Sequence, residues 1–132
     1  MIELTIIMPV YNEEEVIAKV LNDWLIELRK LSIDFELHVY NDGSNDSTKD
    51  KINEVSESNS ELILFDKENS GHGPTIIEGY KKAQSEWIFQ TDSDNEIRPN
   101  QFKKLWESRE YFDFIIGQRI NRDSPLSRKI IT

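Results

Sequence analysis

Residues 3–48, ELTIIMPVYNEEEVIAKVLNDWLIELRKLSIDFELHVYNDGSNDST, change their hydrophobic period twice, and those changes decide the fold. Glu3 to Met8 is an Ile-rich apolar run stopped by Pro9, the pattern of a strand buried on both faces. From Glu13 the spacing turns helical. Val16, Val20, Trp24 and Leu28 form one stripe, with Ile17, Leu21 and Leu25 beside it, behind acidic residues that suit a helix N-terminus. The spacing predicts an amphipathic helix over 13–31. Phe35 to Tyr40 then reads as a second strand and Asn41 to Thr48 as a polar turn.

Beyond this stretch the alternation continues. Lys49 to Ser58 reads as a less apolar helix carrying Ile52 and Val55, and Leu62 to Phe65 as a short strand. Asn69 to Gly73 forms a flexible loop, after which Pro74 suits the first position of a helix that continues through Ile76, Ile77, Tyr80 and Ala83. Trp87 to Gln90 is a strand that runs into TDSD, followed by a helix from about Asn100 to Tyr111 and a strand from Phe114 to Ile116. Strands alternating with helices imply an α/β fold, a three-layer α/β/α sandwich around a mostly parallel sheet. In such sheets ligands bind at the carboxyl ends of the strands, and the most polar loops here all follow strands.

The chain of 132 residues fits one domain, and no repeat or linker divides residues 1–132. No cysteine is present, so a metal would need oxygen or imidazole ligands. The net charge of −9 disfavours nucleic acid, whose phosphates attract clustered Lys and Arg. The charge is uneven. Residues 119–132 set Arg119, Arg122, Arg128 and Lys129 against Asp123, a net of +3, which leaves −12 for residues 1–118 and a local anion site near the end. No apolar run reaches membrane-span length and the N-terminal flank is acidic where a secretory signal is basic, so the expected location is cytoplasmic.

Four loops carry chemistry. Thr91-Asp92-Ser93-Asp94 places two carboxylates directly after an apolar strand, hard oxygen donors that suit Mg²⁺ or Mn²⁺ with positions left open for substrate phosphates. Glu96 offers a third oxygen; a solvated acidic turn is the plainer reading of the triplet taken alone. Tyr40 to Thr48 is a strand end, a glycine turn and helix-capping residues, with Asp42 able to accept from a base or ribose if it faces the same cleft. Met8 to Glu15 offers the Tyr11 ring for stacking on a base, a position equally suited to packing. Asn69-Ser70-Gly71-His72-Gly73-Pro74 allows close backbone approach near a helix start, which favours an anion, while His72 by itself reads as a surface residue.

Taken together and in this order, TIIMPVYNEEE, VYNDGSNDST, NSGHGPTIIEGYKKA and WIFQTDSDNE resemble the family 2 glycosyltransferases of GT-A fold, including the polyprenyl-phosphate sugar transferases such as dolichol-phosphate mannose synthase. The segment FDFIIGQRINRDSPLSRKIIT is similar to the part of that group that brings basic side chains to the donor phosphates. The resemblance implies an inverting, metal-dependent transfer of sugar from a UDP- or GDP-linked donor to an acceptor, with a polyprenyl phosphate favoured. It implies that Pro9, Val10, Tyr11, Asn12, Glu13, Asp42, Gly71 and Ser93 line the nucleotide-sugar pocket and that Asp92 and Asp94, with Glu96, bind Mg²⁺ or Mn²⁺. It further implies that Arg119 and Arg128 contact phosphates and that Asp92, Asp94 and Arg119 carry the catalysis. Asn41 stands where many members have a first aspartate, and Glu96 where the mannose synthases have Gln. Members also run beyond this length, so the chain is expected to be the N-terminal part of a catalytic domain, with membrane contact only through further sequence or the acceptor. A nucleotide-sugar-binding module without turnover is the alternative.

Overall fold

The computed structural model of the protein describes residues 1–112. Within them the elements run β1 (Leu4–Val10), α1 (Ile17–Arg29), β2 (Phe35–Asp42), α2 (Thr48–Glu57), β3 (Leu62–Lys67), α3 (His72–Lys82), β4 (Trp87–Gln90) and α4 (Pro99–Ser108). The expected strand at Phe114 to Ile116 lies outside the described residues. The four strands form one sheet in the order β3-β2-β1-β4, and every pairing is parallel. β1 is central, and all seven of its residues are buried.

Alternation along β1 sends Leu4, Ile6, Met8 and Val10 to one face, where they share a core with Ile17, Leu21, Trp24, Leu25 and Leu28 of α1, Ile52 and Val55 of α2, and Phe102 and Trp106 of α4. Trp24 is the hub. Its ring lies 6.0 Å from Phe89 and 5.9 Å from Phe102, between centroids, so it links α1 to β4 and α4. Among the described residues the opposite face carries α3 alone. Gly79 sits directly over Ile7, whose Cγ2 would lie 2.6 Å from a Cβ at that position. The close approach needs a residue with no side chain. Three layers result, as the periodicity implies.

Element boundaries differ from the sequence expectation for physical reasons. Pro9 does not stop β1; it is paired with Tyr40 inside the strand. The Glu3 and Ile7 carbonyls accept from Trp87 and Thr91, so odd positions of β1 face β4, and β4 pairs no further than Ile7. The missing N–H of Pro9 therefore faces past the end of β4 and costs no ladder bond. α1 starts at Ile17 rather than Glu13, because the Glu13 N–H donates to Thr48 Oγ1 at 2.9 Å and the Glu14 carboxylate accepts from the Ser47 N–H at 2.8 Å. These bonds hold residues 13–16 in a turn and leave Val16 exposed. α3 begins at His72, two residues before Pro74, whose absent N–H falls in the first turn where no intrahelical acceptor exists. Its buried residues are Thr75 and Gly79, while Ile77 and Tyr80 face outward.

Candidate functional site

All four strands point the same way, so their carboxyl ends and the loops that follow lie along one edge. Val10 ends β1 buried, and Tyr11 beyond it is about half exposed, its hydroxyl accepting from Asn45 Nδ2 at 3.4 Å. Asn12 has φ +51 and bonds at both ends: its N–H donates to Ser44 Oγ at 2.9 Å and its Oδ1 accepts from the Asn45 N–H at 2.8 Å. The β1 and β2 loops are thus sewn together. Asp46 continues the seam by accepting from the Thr48 N–H at 2.9 Å at the start of α2, where the helix dipole favours a carboxylate.

Asp42 ends β2 in a buried position. Its Oδ1 accepts from Lys67 Nζ at 2.7 Å and from the Ser70 N–H at 2.8 Å, and its Oδ2 from the Gly71 N–H at 3.0 Å. Burial pushes its carboxyl upward, but the Lys67 bond, the two backbone donors and the Lys67 charge together hold it below the ordinary aspartate range. Lys67 Nζ also donates to Ser70 Oγ and the Glu68 carbonyl. The loop from β3 to α3 is therefore wrapped around one buried ion pair. Gly71, at φ +96, turns that loop into α3.

Beside Asp42, Asn41 is buried and donates to Asp66 Oδ1 at 2.9 Å while accepting from Ser44 Oγ. The side of these loops that faces α2 opens into a groove of about 550 Å³ lined by Gly43, Ser44, Asp46, Lys49 and Lys67 among others.

After β4 the Thr91 N–H donates to the Ile7 carbonyl at 3.0 Å, which fixes the root of the TDSD loop to the end of β1. Asp92 Oδ1 accepts from Gln90 Nε2 at 3.1 Å and lies 3.3 Å from His72 Nε2. Ser93 is buried, whereas Asp94 is exposed and accepts the Glu96 N–H at 3.0 Å. Glu13 is raised above the ordinary glutamate range, first by burial and then by the charges of Asp94 and Asp46. Glu13 of the β1 loop thus feels the charges of Asp46 in the β2 loop and Asp94 in the β4 loop.

The structure thus brings Tyr11, Asn12, Glu13, Asp42, Gly71, Asp92, Ser93 and Asp94 to one edge. Among the described residues no three His, Cys, Asp or Glu side chains are gathered into a metal-holding set, so Glu96 is not joined with Asp92 and Asp94 in such a triad. Two carboxylates still fit Mg²⁺ or Mn²⁺, which commonly keep waters and substrate phosphates in their other positions. Arg119 and Arg128 lie outside the described residues. The sequence reading missed Lys67 and Gln90 and gave His72 no contact. A single Lys at a strand end beside an acidic loop was the one signal for Lys67. Among the described residues no helix is long and apolar enough to cross a membrane.

Comparison with known proteins places this architecture. The profile of the family described as Glycosyl transferase family 2 matches residues 5–130. The undecaprenyl-phosphate 4-deoxy-4-formamido-L-arabinose transferase of Photorhabdus laumondii is 26% identical over 130 residues, covering 96% of this chain and 40% of that protein. An uncharacterized glycosyltransferase of Synechocystis is 29% identical over 123 residues, covering 92% and 39%. Among solved structures, residues 1–349 of TarS from S. aureus in complex with UDP-GlcNAc match with TM-score 0.69 and 26% identity over 96% of this chain and 38% of that one. A mannosyltransferase from Pyrobaculum calidifontis in complex with GDP-Man and Mn²⁺ matches with TM-score 0.61 and 26% identity over 70% and 27%. The chain spans about 40% of the length of the curated relatives it matches.

Proposed function

The chain belongs to glycosyl transferase family 2, and from that premise we propose that it forms the donor-binding part of a metal-dependent, inverting glycosyltransferase. The acceptor oxygen attacks the anomeric carbon, and the bond from that carbon to the diphosphate breaks as the nucleoside diphosphate leaves with its electron pair. The observation that carries this reading is the convergence of the four strand-end loops on one edge, with Asp92 and Asp94 following β4. In their roles here, Tyr11 offers its half-exposed ring to the base, and Gly71 lets the backbone approach the diphosphate. Asp42 acts at the base side of the pocket, and Arg119 and Arg128 neutralise phosphate charge.

Asp92 and Asp94 hold the divalent cation. Once bound, Mg²⁺ or Mn²⁺ supplies Lewis-acid stabilisation of charge on the departing diphosphate. UDP- and GDP-linked donors are both represented among the structural neighbours. A polyprenyl phosphate is the acceptor class named by the curated relatives; its oxygen is anionic near neutral pH, so attack needs little help from a general base. Work at a membrane surface follows from such an acceptor.

Calorimetry with UDP- and GDP-sugars, in Mn²⁺ and again in chelator, tests the reading. Metal-dependent binding of one nucleotide class, lost in Asp94→Ala, is the expected result. Binding that is indifferent to chelator and to Asp94→Ala overturns the metal role.

A further inference from the structure

We propose that Gln90 and His72 are positioning residues that hold Asp92 by one carboxylate oxygen and leave the other for a divalent cation. The inference rests on the metal role given above to Asp92. Gln90 is the last residue of β4 and pairs with Ile7, which faces α3, so Gln90 projects to the α3 side of the sheet. There its Nε2 donates to Asp92 Oδ1 at 3.1 Å. His72 opens α3 and brings Nε2 to 3.3 Å from the same oxygen. Gln90 thus donates a hydrogen bond to Oδ1, and the His72 ring, from a separate element, stands within ion-pair distance of the same oxygen. The described residues place no donor on Oδ2.

This asymmetry has a chemical consequence. An oxygen that already accepts the Gln90 bond and faces the His72 ring has less lone-pair density left for a cation than its neighbour. Fixing the carboxylate also removes rotamer freedom that a metal would otherwise have to restrain. The position of His72 is set in turn by Gly71, whose N–H is anchored on Asp42, so a chain of contacts runs from the end of β2 to the end of β4. Packing does not account for the pair. The His72 side chain is 59% exposed and Gln90 is only partly buried, so shortening either opens no core cavity. Partners of this kind behind a metal ligand change metal affinity by roughly 10–100-fold.

The test is a titration of Mn²⁺ into the protein with excess UDP, and separately GDP, following free Mn²⁺ by electron paramagnetic resonance. His72→Leu and Gln90→Leu are each expected to weaken Mn²⁺ binding by about ten-fold, while His72→Gln, which keeps a donor, recovers most of the loss. Urea midpoints of the His72 variants stay at the wild-type value. Wild-type affinity in both Leu variants overturns the positioning role and leaves the metal role of Asp92 standing. Equal loss in His72→Leu and His72→Gln also overturns it. Absence of Mn²⁺ binding to the wild type with either nucleotide, or its persistence when Asp92 and Asp94 are both changed to Ala, overturns the metal role and this inference with it.

Discussion

Lys67 Nζ lies 2.7 Å from Asp42 Oδ1, in a pair whose side chains are 16% and 7% exposed. The contact ties the ends of β2 and β3 to each other and, through the Ser70 and Gly71 amides, to the start of α3. A charge pair taken this far out of water is stable only if every remaining donor and acceptor is satisfied, and here the surrounding backbone and hydroxyls do that. The carboxyl edge of the sheet is therefore rigid at its centre, between β2 and α3, and the loops that carry chemistry hang from it.

Removing one partner leaves the other as an unpaired, nearly buried charge. Lys67→Met is expected to lower stability by about 3 kcal/mol, read as a shift in the urea midpoint with unchanged slope. Adding Asp42→Asn recovers part of that loss, because it removes the stranded charge and keeps an acceptor for the Ser70 N–H. A double variant as unstable as the sum of the singles would show that the two side chains do not interact.

The same contacts make stability depend on acid. Asp42 is depressed because its donors outweigh the upward push of burial, Glu61 chiefly by its bond to Arg29, and Asp66 chiefly by its bond to Lys49. Each carboxyl takes up a proton at a higher pH in the unfolded chain than in the folded one. Their stabilisation is complete above the ordinary values of about 3.9 and 4.3 and is lost as pH falls through the lower folded values. Glu13, raised mainly by burial, works in the opposite sense and costs stability as it ionises on the way up. Urea midpoints are expected to fall steeply below about pH 4, and Asp42→Asn is expected to flatten that slope. An unchanged slope in the variant would remove Asp42 from the account.

Gly79 and Ile7 make a second pairwise prediction. A Cβ at Gly79 would sit 2.6 Å from Ile7 Cγ2 and 3.1 Å from Cδ1. Gly79→Ala is expected to cost about 1–3 kcal/mol by overpacking, although alanine is the better helix former. In the Ile7→Ala background the same change should cost much less, since the clashing atoms are gone. A thermal-melt cycle over the four proteins measures the coupling.

Much of this was legible because period and spacing are local properties. The span of β4 was read without error, and the core stripe of α1 was read correctly from Ile17 onward. The failures lie where one segment bonds another distant in sequence. The start of α1 is set by Thr48 and Ser47, more than thirty residues away, so the acidic run at Glu13 reads as a helix N-terminus when it is a turn. Pro9 reads as a stop because nothing local reveals that its edge of β1 faces beyond the last residue of β4. At the site, the loops and their acidic residues were visible. Lys67, Gln90 and the His72 contact were not, because each acts through a partner in another element or through a strand face set by register.

Two glycines, Gly43 in the turn after β2 and Gly73 at the start of α3, separate conformational need from mere presence. Gly43 has φ +71, and a Cβ there would meet the Asn69 backbone nitrogen at 2.5 Å and its Cβ at 2.8 Å. Alanine would have to hold a left-handed backbone and also push back the loop whose amides bind Asp42. Gly43→Ala is expected to cost at least about 2 kcal/mol, from the left-handed penalty plus the clash. Nucleotide affinity should fall with it, because the displaced loop carries Gly71 and His72. Gly73 lies in the first turn of α3, and a Cβ there would meet nothing within 4 Å. Gly73→Ala should be neutral or stabilising by up to about 1 kcal/mol, since alanine lowers the entropy lost on forming the helix. Melts and calorimetry on both variants decide the matter: if Gly43→Ala behaves like Gly73→Ala, the close packing of the β2 turn on the β3–α3 loop is not what holds this edge together.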